Sequence, residues 1–153
     1  MKYSIPVIPH DVLYKEHTEF FGNGMERLPF CKQIEFIMQK RKVTKKDLVE
    51  MTGLSPQRID TIVSMKGNND MVMRDHVYAV MISLRMDQCY YENAMGTMHY
   101  CFGGSFFNVH ERDWYVRYFV VHSAAVEECT VANCNKSLID AGFEPLTDLL
   151  LEE

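Results

Sequence analysis

The sequence predicts an all-α fold, on three observations. Apolar residues recur at helical three-and-four spacing in several separate stretches, most clearly Met73, Val77, Val80, Met81 and Leu84, and later Val131, Cys134, Leu138 and Ala141. Residues able to cap a helix N-terminus stand just ahead of such stretches, at Thr44, Ser55 and Thr130. Helix stops stand behind them, at Gly53, and at Gly142 with Pro145 beyond it.

Taken in order, residues 1–24 hold two prolines and no sustained period, which predicts an irregular arm with one short helix near 12–20. The GNG at 22–24 marks a boundary. Ile34, Ile37, Met38 and Arg41 set the face of a helix over 32–42. The most informative stretch follows, KKDLVEMTGLSPQRIDTIV at 45–63. Thr44 caps a first short helix, and Asp47 completes a capping box with it. Leu48 and Val49 supply its buried side. Gly53 falls where the chain must reverse, a position that favours positive φ. Ser55 then caps a second helix, and Pro56 takes its first position, where a missing N–H costs nothing. Leu54 and Ile59 have the spacing of a hydrophobic staple. Ile59 and Ile62 anchor that helix, leaving Gln57, Arg58, Thr61 and Ser64 to face outward.

Beyond a loop at 66–69, a helix over 73–84 and a shorter one from Asp87 to Gly96 are expected. Residues 98–107 read as aromatic and glycine-broken, without an assignment. Asn108 and Glu111 resemble a capping box opening a helix to about Ser123. Tyr115, Val116, Tyr118, Phe119 and Val120 make it apolar nearly all round, so it is expected to be central and buried.

Composition bounds the function. The 153 residues are 47% apolar, enough to bury a core, and 24% charged. There is no run of 18 apolar residues to span a membrane, and the first residues lack signal-peptide order. Five cysteines without framework spacing suit reduced thiols in the cytoplasm. The net charge of −5 argues against a general polyanion binder, but the charge is uneven. Between Arg27 and Arg85 there are eleven Lys or Arg against six Asp or Glu, densest at Lys40, Arg41, Lys42, Lys45 and Lys46. A solvated, dipole-complementing helix end would explain those lysines alone. Together with the paired short helices they favour phosphate contact.

The stretch 45–63 resembles the helix-turn-helix of the lambda-repressor-like (Cro and repressor, xenobiotic-response-element type) family. The matching residues are Leu48, Gly53, Leu54, Ile59 and Ile62, and the looser likeness spans about 29–96. It implies a DNA-binding domain over 29–96, after an arm at 1–28 and before a helical extension at 97–153. It also implies a second helix in the major groove, with Gln57, Arg58 and Thr61 facing bases beside Pro56 and Asp60. Gln57 suits adenine, Arg58 guanine and Thr61 a thymine methyl. Lys45, Ser55, Ser64 and Lys66 would approach phosphates. Three residues depart from the pattern: Val49 replaces a smaller residue, Pro56 replaces a hydrogen-bonding one, and Asp60 puts an acid at the interface.

Other chemistry is thin. His99 with Cys101, and Cys129 with Cys134, do not match zinc-knuckle spacing, and buried thiols are the plainer reading. His122, Asp113, Glu127 and Glu128 lack a phosphate loop, nucleophile elbow or metal motif. No catalytic residue, metal or cofactor is therefore expected. Eleven methionines suit adaptable core packing. The expected function is sequence-specific transcriptional regulation in a bacterial or phage cytoplasm. Its partner would be double-stranded DNA, bound by a homodimer, with residues 98–153 serving dimerisation or a protein partner. The alternative is an antitoxin-like or adaptor module that keeps the fold without reading DNA.

Overall fold

The computed structural model describes residues 4–65, 74–97 and 111–150, and these are entirely helical apart from their connections. Pro9 precedes α1 (His10–Gly22), which is longer than the sequence suggests. Gly24, at φ 75°, turns the chain into a 3-10 turn at Met25–Arg27. Pro29 opens α2 (Phe30–Arg41), and Lys42 ends it in the left-handed region at φ 57°. The two short helices are α3 (Lys45–Thr52) and α4 (Pro56–Val63). They are followed by α5 (Arg74–Ser83), α6 (Gln88–Thr97), α7 (Glu111–Val121) and α8 (Val131–Asp140). The Asp87 carboxylate accepts from the Tyr90 amide at the start of α6. Thr130 caps α8 through the Asn133 amide, and Gly142 lies at φ 87° beyond it. Met73, the Lys66 loop, the aromatic stretch at 98–107 and Asn108 fall outside the described residues.

The central helix is α5, not α7. Every residue of α5 from Val77 to Ser83 is buried, because α3, α7 and α8 all pack on it. On α7 only Val116 and Val120 are buried, while Trp114 is 59% and Tyr118 50% exposed. The expectation of a central α7 took Tyr115, Tyr118 and Phe119 as core residues, yet Tyr115 and Phe119 are only partly buried, and a Tyr carries a polar tip that tolerates a wet face. The α8 face holds at Val131, Cys134 and Leu138, but Ala141 is exposed past the helix end.

One apolar cluster runs from Ile5 through Phe20, Ile34, Leu48, Ile59, Val80 and Val116 to Leu146. It therefore draws on the arm and the extension as well as on residues 29–96, and α6 runs through the expected boundary at 96–97. Buried polar groups tie the same parts together. Glu16 on α1 pairs with Arg41 on α2, both almost fully buried, and accepts from the Tyr90 hydroxyl at 2.8 Å. Arg41 Nε also donates to the Leu84 carbonyl at 2.9 Å.

Candidate nucleic-acid interface

The local geometry of 44–64 follows its sequence closely. Thr44 accepts from the Asp47 amide while the Asp47 carboxylate accepts from the Thr44 amide, so two otherwise orphaned donors are satisfied. Gly53 closes α3 at φ 80° and donates to the Val49 carbonyl. The Ser55 hydroxyl accepts from the Arg58 amide at 3.2 Å, with Pro56 at the first helical position. Ser55→Ala is expected to destabilise the protein by about 1 kcal/mol through this lost cap, whereas exposed Gln57→Ala should change stability little. Equal urea midpoints for the two variants would contradict the capping role.

Leu54, Ile59 and Ile62 are buried against the core. The opposite face of α4 is polar: Gln57, Asp60 and Ser64 are exposed, and Arg58 and Thr61 are half-buried. Gln57, Arg58 and Thr61, the residues expected from the sequence to face bases, thus share an outward face with Ser64. The hydroxyls of Thr61 and Ser64 donate to α4's own carbonyls, at Gln57 and Asp60, and keep oxygen lone pairs to offer. Asp60 pairs with Lys45 at 3.0 Å across the two helices, both well exposed. An exposed pair of this kind contributes little stability and can be re-partnered. Lys45 also joins Lys32 and Lys42 on the wall of a cleft of about 720 Å³ that reaches Ser64, floored by Met38, Val43 and Val63. Lys66 lies outside the described residues.

A second set of residues meets the turn from the far end of the chain. The buried Asn135 side chain accepts from the amides of Leu146 and Thr147 and donates to the Leu149 carbonyl. Thr147 in turn donates its hydroxyl to the Thr52 carbonyl at 2.6 Å. Leu149 lies so close to Gly53 that a Cβ there would approach Leu149 Cβ to 2.8 Å. Gly53 is therefore required twice, by its positive φ and by this contact. Arg112 holds the start of the tail, donating to the Glu144 carbonyl and, through two bonds, to Asp75. The result is a polar pocket of about 380 Å³ in which Ser55 and Arg58 meet His76 and residues 144–148. Burial, reinforced by the Arg58 charge, pulls the His76 pKa below its ordinary value, while Asp75 and Asp148 oppose the shift. No local signal pointed to this tail, because the Thr147–Thr52 bond joins residues 95 apart.

The other groups weighed from sequence stay apart from this face. Cys129 and Cys134 are buried, and burial pushes their thiols up to about 11 and about 12. His99 and Cys101 lie outside the described residues. Among the described residues no helix is long and apolar enough to cross a membrane. No protein-family model, curated protein or solved structure matches this chain.

Proposed function

We propose that the protein is a sequence-specific DNA-binding transcriptional regulator that acts in a bacterial or phage cytoplasm, built on a helix-turn-helix of the lambda-repressor-like kind. The observation that carries this reading is α4 itself. It is a capped short helix anchored by Ile59 and Ile62, set after a glycine turn, with a mainly polar outer face beside exposed Lys45 and Lys46. In that reading α4 enters the major groove. Gln57, Arg58 and Thr61 contact bases there, while Lys45, Ser55, Ser64 and Lys66 contact phosphates. Exposed Trp114 and Tyr118, one turn apart on α7, and exposed Ile139 on α8 suit a two-fold contact between chains.

Selection from random oligonucleotides with the full-length protein tests the reading. Enrichment of one short motif supports it, and an inverted repeat of that motif would report a dimer. Arg58→Ala should then cost about 1–3 kcal/mol and relax preference at one base pair. Lys45→Ala should weaken all sequences alike and lower the salt slope by about one unit. Identical behaviour of the two variants would mean that α4 does not lie in the groove.

The second reading is a protein-interaction module, and two acids favour it. Asp60 lies on the outer face of α4, and Asp148 lies in the pocket that holds Arg58. Both would repel a phosphate backbone. Absence of any enriched motif at low salt would decide for this reading.

A further inference from the structure

We propose that His17, Asp87 and Cys89 form a binding site for a single divalent first-row metal ion of the zinc type. Their imidazole, carboxylate and thiol donors all lie within 4.8 Å of one another, the only group of three such residues among those described. The fold brings them together: His17 is on α1, while Asp87 and Cys89 flank the first residue of α6. This is therefore not a chance of local sequence.

The geometry of the pair is already close to that of a ligand edge. His17 Nε2 and Asp87 Oδ1 are 3.1 Å apart. Two ligands at the usual zinc–nitrogen and zinc–oxygen distances span roughly 3.3 Å across a tetrahedron. Both side chains are held in place. The His17 ring meets Tyr90 edge-on at 4.9 Å and Phe21 at 6.3 Å, and Asp87 is fixed by capping α6 through the Tyr90 amide. The thiol is the adjustable member. Cys89 is exposed, so a side-chain rotation can bring its sulfur in by about 1 Å to the spacing that a zinc–sulfur bond sets.

The chemistry of the set agrees. One carboxylate and one thiolate neutralise a divalent ion, and imidazole with thiolate selects zinc-like ions over magnesium or calcium. Three protein ligands at a site open to solvent leave the fourth position for water. A bound ion would pin the N-terminal helix to α6 independently of whether α4 reads DNA.

Cobalt(II) titration of the reduced, full-length protein is the test, because a thiolate–cobalt bond gives its own charge-transfer absorption. Wild type is expected to develop that band to one equivalent, and zinc should displace the cobalt. Cys89→Ser, at an exposed position that leaves the core untouched, should abolish the band. Cys31→Ser should retain it. His17→Ala should weaken zinc binding by at least the roughly 10–100-fold that losing a mere supporting partner costs. No band at one equivalent, or a band that survives in Cys89→Ser, would show that His17 and Asp87 are only a hydrogen-bonded pair beside an unrelated thiol.

Discussion

Replacing Arg85 with methionine is expected to lower the unfolding free energy by about 3–5 kcal/mol, among the largest losses from any single change in this chain. Arg85 is 1% exposed, and its guanidinium is spent wholly on backbone carbonyls. Nε donates to Ile5 at 2.6 Å, Nη1 to Ser123 and Val126, and Nη2 to Glu127. One side chain thus joins the first residues of the arm, the end of α5 and the connection between α7 and α8. Methionine fills similar space but leaves the Ile5, Ser123 and Glu127 carbonyls without this donor and Val126 with only the Cys129 amide, each orphaned carbonyl costing about 1–3 kcal/mol where water cannot reach. Backbone strain does not confuse the result, since both residues must sit at the φ of 53° that Arg85 adopts. Arg85→Lys should recover only part of the loss, because an ammonium cannot reproduce the planar fork. Urea unfolding measures all three proteins. A loss below about 1 kcal/mol for methionine would mean that the carbonyls find water and that Arg85 is not the clamp described.

A chain ending at Gly96 is expected not to fold. Residues 29–96 look self-sufficient in sequence, but α5 is buried on all sides only because α7 and α8 cover it. Truncation would uncover part of the α5 surface, whose residues from Val77 to Ser83 are all buried in the whole chain. It would also remove the Ser123, Val126 and Glu127 acceptors of Arg85, and the Asn135 and Thr147 bonds that hold the tail to the α3–α4 turn. Losing several fully buried apolar contacts at about 1.5–3 kcal/mol each exceeds the stability of an ordinary domain of this size. The expected observation is a chain without a cooperative thermal transition and with exposed apolar surface that binds a hydrophobic dye. A sharp transition with native-like helicity in residues 1–96 would refute this and restore the extension to the status of an appendage.

The local devices of the chain were legible because each is decided within a few residues. The Thr44–Asp47 capping box, the left-handed Gly53, the Ser55–Pro56 start of α4 and the Thr130 cap of α8 depend on short-range sterics and hydrogen bonds. The polar outer face of α4 was legible for the same reason, since Ile59 and Ile62 fix which side is buried. By itself, then, the sequence determined an all-helical chain with two capped short helices around a glycine turn and a polar face on the second. Only the tertiary structure decided which helix is central, because burial depends on what packs around a helix and not on its own composition. Only the tertiary structure showed Arg85 to be a clamp rather than a surface cation, the tail at 144–149 to cover the turn, and His17 to meet Asp87 and Cys89. Those contacts join residues from 38 to 95 positions apart, and no local pattern encodes a partner so distant.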